Sequence, residues 1–295
     1  MQLDQLTAFV TVADAGSFTR AADSLHLTQP AVSRQIAALE RELNTQLFDR
    51  MGRNIQLTAS GEALIEYGRR ILQLEQEATQ AVADIRSGEV GRLRIGASST
   101  LATYVLPDFL RTFRSGRSGA EISMHTGVSA QIITLLKQNA VDIGFVTGEA
   151  PDEIFTSVSL GEFETCVVAP PGHPLGRLKQ ILPEDLAGIP LILMEPGTNL
   201  RTYVDRLLNR AGVAEQVAME LDNVEAIKRM IEAGLGISML PEVSVRHEVE
   251  SGRLIALRLA EVPHASRLIR MVYRRDKYIH MLMKQFINHV APEFL

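Results

Sequence analysis

A chain of 295 residues, 46% hydrophobic and 22% charged, is too long for one ordinary core, and length alone predicts about two to three compact units. No apolar run approaches the ~18 residues of a membrane span, no basic-then-apolar leader opens the sequence, and a single cysteine, Cys166, excludes an intramolecular disulfide. A soluble, cytoplasmic protein is expected, and a formal net charge of -5 gives no electrostatic pointer to nucleic acid.

The first strong pattern runs from Ser17 to Glu40. Ser17 can cap a short helix whose apolar positions Phe18, Ala21, Ala22 and Leu25 leave Thr19, Arg20 and Asp23 outward. His26 and Leu27 make a turn. Thr28 then offers an N-cap and Pro30 suits a first helical turn, so a second helix is predicted from Gln29 past Leu39, with Val32, Ile36 and Leu39 inward. Gln29, Ser33, Arg34 and Gln35 remain on an exposed face that can hydrogen-bond to base edges. Two helices around a polar turn also occur in many enzymes, so this pattern alone leaves both readings open.

Beyond Thr58, a candidate cap with Glu62 in the early turns, apolar positions fall at Leu64, Tyr67, Ile71, Leu74, Ala78, Ala81 and Ile85. Steps of three and four describe a seam that a second helix covers, leaving Arg69, Arg70, Glu75 and Glu77 to solvent. At 1.5 Å per residue the helix from Ser60 to Ser87 would be about 42 Å long. It predicts a dimer and a roughly palindromic DNA site; the alternative is a helix packed on its own domain. Ser87, Gly88 and Gly91 then mark a boundary.

From Arg92 short apolar strands alternate with helices. Strands are predicted at Arg92–Ala97, Glu121–His125 and Asp142–Val146, with helices at Leu101–Arg114 and Ala130–Asn139 between them. A second set follows: strands Glu164–Ala169, Pro190–Met194, Val217–Leu221 and Ile237–Leu240, with helices Asn199–Ala211 and Val224–Ala233. The strand Arg267–Tyr273 and the helix Tyr278–Val290 are expected to return to the first set. This is an α/β domain with a largely parallel sheet.

Ligands of open α/β sheets bind beyond the carboxyl ends of strands, at helix N-termini. Ser98, Ser99 and Thr100 follow the first strand, Ser129 opens the next helix, Thr147 ends the third strand, and Thr198 and Asn199 open a helix of the second set. These hydroxyl and amide groups are expected to converge on a small anion, with Asn223 and Gly236 as weaker candidates; a plain capping role is the competing reading. Arg201 is the sole cation near these junctions. The ligand expected is an organic acid or inorganic oxyanion.

Other motifs are incomplete. Gly234-Leu-Gly236 lacks the third glycine of a dinucleotide fingerprint, and Pro241 interrupts the helix such a motif needs. His173 stands in a Pro-Gly-His-Pro turn without a metal-ligand neighbour, and Cys166, in an apolar strand, is expected in the core. No serine nucleophile elbow, zinc-binding helix or phosphate loop is present, so no catalytic residue and no metal site are assigned.

From Leu3 to Thr58 the order of residues resembles the winged helix-turn-helix domain of LysR-type transcriptional regulators. The resemblance is carried by Phe18, Ala21, Ala22, Leu25, Thr28-Gln29-Pro30-Ala31, Ser33, Ile36, Leu39-Glu40, Leu43, Leu47-Phe48 and Leu57-Thr58 through Gly61. Asn44 departs from it, standing where the family often has glycine, yet Asn tolerates the left-handed conformation that ends a helix. The run around Met51–Asn54 looks like the family's wing, which implies that Arg50 and Arg53 reach phosphates or the minor groove. Residues 1–58 hold five arginines, no lysine and six acidic residues, so any DNA preference rests on where those charges lie.

The resemblance extends, more loosely, through Leu106-Pro107, Asp142–Phe145, Pro171–Leu175 and Gly234–Pro241. It implies an N-terminal winged helix-turn-helix (all-α with a small β wing) at 1–58, a long linker helix at 59–87 for dimerisation, and a C-terminal α/β, two-lobed, periplasmic-binding-protein-like effector domain at 88–295. Lobe I would comprise 88–161 and 266–295, and lobe II 162–265, with crossovers near Gly161–Phe163 and Val262–Ala265. DNA contacts are then expected from Ser17, Thr19, Arg20, Thr28, Gln29, Pro30, Ser33, Arg34, Gln35, Arg50 and Arg53. Effector contacts are expected from Ser98, Ser99, Thr100, Ser129, Thr147, Thr198, Asn199, Asn223 and Gly236. The function implied is a ligand-responsive transcriptional regulator, not an enzyme, with no cofactor beyond a small-molecule co-effector. Its partners would be double-stranded promoter DNA, a second copy of itself in a homodimer or homotetramer, and the effector; RNA polymerase stays open as a further partner, and no membrane is involved. The other class kept open is an α/β enzyme or solute-binding module with an appended helical domain.

Overall fold

The computed structural model describes residues 1–51, 54–87, 92–115, 119–151, 153–259 and 267–292. The chain divides into two units, Met1–Gly88 and Glu89–Leu295.

The first unit contains α1 (Leu3–Ala15), α2 (Phe18–Ser24), α3 (Gln29–Leu43), β1 (Phe48–Met51), β2 (Asn54–Leu57) and α4 (Ala59–Ser87). α1 has no counterpart among the expected elements. It starts where the Gln2 N–H donates to Gln5 Oε1 at 2.9 Å and stops at Gly16, whose φ of 59° is left-handed. Leu6, Phe9 and Val12 of α1 meet Ala21, Ala22, Val32, Ile36 and Leu39 in one core. Phe48 closes it against the rings of Phe9 at 5.3 Å and Phe18 at 5.8 Å. Asn44 ends α3 with φ 51° and ψ 39°, the conformation its short polar side chain tolerates.

Thr58 carries the entry to α4. Its Oγ1 accepts from the Gly61 N–H at 3.1 Å and donates to the Gln46 carbonyl at 2.7 Å. Gly61 is required there, because a Cβ would fall 2.2 Å from the Leu47 carbonyl oxygen. Ile65, Gly68 and Leu72 turn toward α1, and Leu64 also packs on this unit's own core, so it does not belong to the free seam predicted from the heptads. Tyr67, Ile71, Leu74 and Val82 stay exposed, at 63%, 37%, 67% and 60%. Arg69, expected in solvent, pairs with Asp14 at 2.5 Å. The side chains of Ala81 and Ile85 lie outside the described residues.

In the second unit one sheet has the order β4-β3-β5-β12-β6, from β3 (Arg92–Ser98), β4 (Glu121–Gly127), β5 (Ile143–Thr147), β6 (Phe155–Phe163) and β12 (Arg267–Arg274). β3 runs parallel to β4 and β5, whereas β12 is antiparallel to β5 and β6, so the sheet is mixed and not largely parallel. α5 (Ser99–Tyr104), α6 (Leu106–Arg114), α7 (Ser129–Lys137) and α11 (Met281–Val290) cover it. The single helix expected from Leu101 to Arg114 breaks at Val105, because Pro107 lacks the N–H that a continuing helix needs and instead sits in the first turn of α6. α11 begins at Met281, after His280 caps the Met283 N–H, and not at Tyr278. Phe113 of α6 meets Phe286 of α11 at 4.9 Å, edge to face, over Leu93, Ile95, Phe145 and Met271.

The second lobe holds the strand order β10-β7-β11 and the pair β8-β9, from β7 (Thr165–Ala169), β8 (Pro190–Met194), β9 (Gln216–Leu221), β10 (Ser238–Pro241) and β11 (Ile255–Leu257). α8 (Asn199–Arg210), α9 (Val224–Glu232) and α10 (Glu242–Glu250) pack on them. β6, α10 and β11 were not expected. Gly161–Phe163 belongs to β6, so the chain passes between lobes at Glu164; the crossover expected at Val262–Ala265 lies outside the described residues. Cys166 is buried and its thiol is pushed up to about 12 by that burial, consistent with a core position.

Candidate DNA-contact face and ligand cleft

α2 and α3 present one open surface. Thr19, Arg20, Thr28, Gln29, Pro30 and Arg34 are exposed, and among the described residues no ion pair involves Arg20 or Arg34. Ser17 Oγ accepts from the Arg20 N–H at 3.4 Å, so its hydroxyl is already used as a cap. Thr28 occupies the N-cap position of α3 without a side-chain capping bond, which frees its hydroxyl. Gln29 Nε2 donates to Ser33 Oγ at 3.0 Å, tying two candidate base readers together one turn apart. Gln35 is a correction: it is half-buried and its Oε1 is shielded from solvent, so it does not share the open face. The backbone of Arg50 lies in β1, opposite Ile55 of the two-stranded wing; Arg53 lies outside the described residues.

In the second unit, Ser98, Ser99, Thr100, Ser129, Thr147, Thr198, Asn199 and Asn223 all line one cavity of about 100 Å³. Gly236 does not. It is pressed against β8, where a Cβ would meet the Pro190 carbonyl oxygen at 2.6 Å, so a packing demand explains this glycine.

Several of the converged hydroxyls have local duties. Thr198 Oγ1 caps the Arg201 N–H at 3.1 Å, and Asn223 Oδ1 caps the Ala226 N–H at 2.8 Å. Ser129 Oγ accepts from the Thr147 N–H at 3.2 Å. Ser98 is different: it is 8% exposed, it lines the cavity, and its Oγ has no hydrogen-bond partner. A buried hydroxyl left this way loses its hydration without compensation, which a bound acceptor or donor would restore.

Two side-chain bridges cross between the lobes along this cleft. Asn199 Nδ2, at the start of α8, donates to the Thr147 carbonyl at the end of β5. The Tyr104 hydroxyl, at the end of α5, donates to Glu225 Oε1 of α9 at 2.5 Å. Burial and the Glu225 carboxylate together raise the Tyr104 phenol, which therefore stays a donor. Burial pushes the Glu225 carboxyl up, but its bonds from Lys228 and Tyr104 outweigh that and hold it below the usual range. Lys228 Nζ lies 2.7 Å from Glu225, 3.1 Å from Glu248 and 2.9 Å from the Ser244 carbonyl, with the Tyr104 ring 5.3 Å away. Neither Tyr104 nor Glu225 stood out in sequence: a half-buried aromatic on a six-residue helix and a carboxylate in a first turn are ordinary locally, and only the fold joins them.

The lining holds no Lys, Arg or His, and two acids, Asp222 and Glu225. Arg201 does not line the cavity and is committed elsewhere, bonded to Asp205 and Glu220 at 2.6 Å each and to the Met194 carbonyl at 3.2 Å. Among the described residues no cluster of three His, Cys, Asp or Glu side chains can hold a metal, and no helix is long and apolar enough to cross a membrane.

Comparison with known proteins accounts for both units. Residues 3–62 match the family of bacterial regulatory helix-turn-helix proteins of the lysR type, and residues 86–295 match the LysR substrate binding domain. A probable RuBisCO transcriptional regulator of Nostoc sp. is 33% identical over 99% of this chain and 88% of its own length. One from Cyanophora paradoxa is 32% identical over 99% and 92%. Among solved structures, full-length OxyR of Pseudomonas aeruginosa superposes with a TM-score of 0.75 at 22% identity, covering 98% of this chain and 97% of that one. CbnR, a LysR family transcriptional regulator, gives 0.69 at 24% identity over 99% of both chains, and has also been solved with its target DNA. With a DNA-type helical unit and a ligand-type α/β unit each matched across its length, the chain belongs to the LysR family of transcriptional regulators.

Proposed function

We propose that this regulator binds promoter DNA through α3 and the wing as a homodimer or a dimer of dimers, and responds to a small anionic metabolite held between the lobes of its second unit. The observation that carries the ligand half is the unpartnered, buried Ser98 hydroxyl in a cavity onto which α7, α8 and α9 direct their N-termini. A cavity of about 100 Å³ lined by hydroxyl and amide groups suits a small organic acid or inorganic oxyanion. The exposed row Tyr67, Ile71, Leu74 and Val82 supports self-association through α4, which sets two copies of α3 against one duplex.

The effector regulates only if it binds one arrangement of the dimer better than another, since equal affinity shifts no population. Cytoplasmic residence and the absence of catalytic activity follow from this role, and RNA polymerase is a further partner on the promoter. Gel shifts with the DNA upstream of the protein's own gene, with and without millimolar small acids, test the reading. A RuBisCO promoter from one of the named relatives provides a second probe. Specific binding that a small acid alters is expected; binding no stronger than to unrelated DNA overturns the reading.

A further inference from the structure

The cleft has two chemically different ends. At one, Ser98, Ser99 and Thr100 join β3 to α5 next to Gly127, just before α7, and Ser99 Oγ donates to the Gly127 carbonyl at 3.5 Å. At the other, Glu225 reaches the cavity wall beside Asp222. Glu225 Oε1 takes both described bonds, from Tyr104 at 2.5 Å and Lys228 at 2.7 Å, while no bond to Oε2 is described and the side chain is 50% exposed. With Lys228 and Tyr104 holding it ionised, this carboxylate can only accept.

We infer that the ligand is bifunctional: a small acid whose anionic group sits at the Ser98–Thr100 end and whose other end carries a hydrogen-bond donor, a hydroxyl or an ammonium, that binds Glu225 Oε2. The inference rests on the anion-binding reading above and narrows it. A plain fatty acid or a symmetric dicarboxylate fits poorly, since the first leaves Glu225 unanswered and the second sets a negative charge against it. Ser98 ends β3 at the N-cap position of α5, and Tyr104 ends α5 six residues on, about 9 Å along the helix at 1.5 Å per residue, which limits the ligand to a short carbon chain.

The test is calorimetric titration of the full-length protein with butyrate, 4-hydroxybutyrate, 4-aminobutyrate and inorganic phosphate. The three organic acids share length and carboxylate and differ only at the far carbon. The hydroxy and amino acids are expected to bind about tenfold or more tightly than butyrate, the range for one hydrogen bond to a charged group at a half-exposed position. Glu225→Gln should erase the advantage of the amino acid. Tyr104→Phe, which spares the carboxylate, should keep it, and this separates ligand contact from damage to the lobe bridge. Equal binding of all three acids by the wild type overturns the inference and leaves the anion reading standing. Binding of none of the four compounds overturns both.

Discussion

Replacing Lys228 with Met should destabilise the second unit by about 3 kcal/mol. Its ammonium and the Glu248 carboxylate are 4% and 6% exposed and lie 3.1 Å apart, so removing the cation strands a buried anion. Breaking such a pair by deleting one partner typically costs about 3–5 kcal/mol. The lower end applies here, because Arg253 Nη2 still approaches Glu248 at 3.5 Å from a 36% exposed position and Glu225 is left half in water. Urea unfolding followed by circular dichroism measures it; with a slope of about 3 kcal/mol/M the midpoint falls by about 1 M. A double-mutant cycle sharpens the case. Lys228→Met with Glu248→Leu should destabilise by clearly less than the sum of the two single changes, with a coupling of at least ~1 kcal/mol. Additive losses, or a Lys228→Met loss under ~0.5 kcal/mol, would refute the view that this buried pair anchors α9 to α10.

Arg34→Ala should weaken specific DNA binding by about 1–3 kcal/mol in titrated gel shifts if the guanidinium reads a base edge, and unchanged affinity and preference would remove it from that role. Leu74→Glu, on the exposed seam of α4, should shift sedimentation toward the monomer without lowering the melting temperature of the isolated protomer; an unchanged oligomer rules out the seam. Burial pushes the Asp142 carboxyl up from 3.8, but hydrogen bonds from Arg94 and the charges of Lys277 and Arg94 outweigh it and hold the group below that value. A lowered folded-state pKa stabilises above the unfolded pKa and is lost as pH falls through the folded one. Asp142→Asn should therefore unfold more easily than wild type at pH 7, with the gap closing as pH drops below about 4 in acid-titrated melts.

The sequence made the cleft legible because its donors sit at strand-to-helix junctions, where serine, threonine and asparagine are visible one by one. Ser98 through Thr100, Ser129, Thr147 and Asn199 were each identifiable locally, and the fold only had to bring them to one place. Gly236 departs from the expectation for an equally physical reason. A glycine beside a helix end resembles a ligand-facing turn, and only the neighbouring Pro190 carbonyl reveals that packing requires it. Tyr104 and Glu225 are separated by 121 residues, and no periodicity or spacing encodes a contact at that range. In the first unit α1 carries a faint sequence signal because its run from Leu3 to Ala15 is apolar on most sides and weakly amphipathic, whereas α3 carries a clear inward row.

Where the charges of the DNA-contact unit sit resolves the difficulty posed by its neutral composition. Of the six acids in residues 1–58, Asp14 is paired with Arg69, Glu42 with the N-terminus, and Glu40 accepts from the Leu47 N–H at 2.9 Å, so three are spent on holding the unit together. Arg20 and Arg34 carry no described ion pair and stand on the open side of α2 and α3. Four such arginines in a dimer would release counterions to give a salt slope of about -4 at most before the wing contributes, a modest dependence. Phosphate attraction of that size positions the protein without selecting a site. On the proposed reading, selection then falls to Gln29, Ser33 and Arg34 at base edges and to the spacing that paired α4 helices would impose.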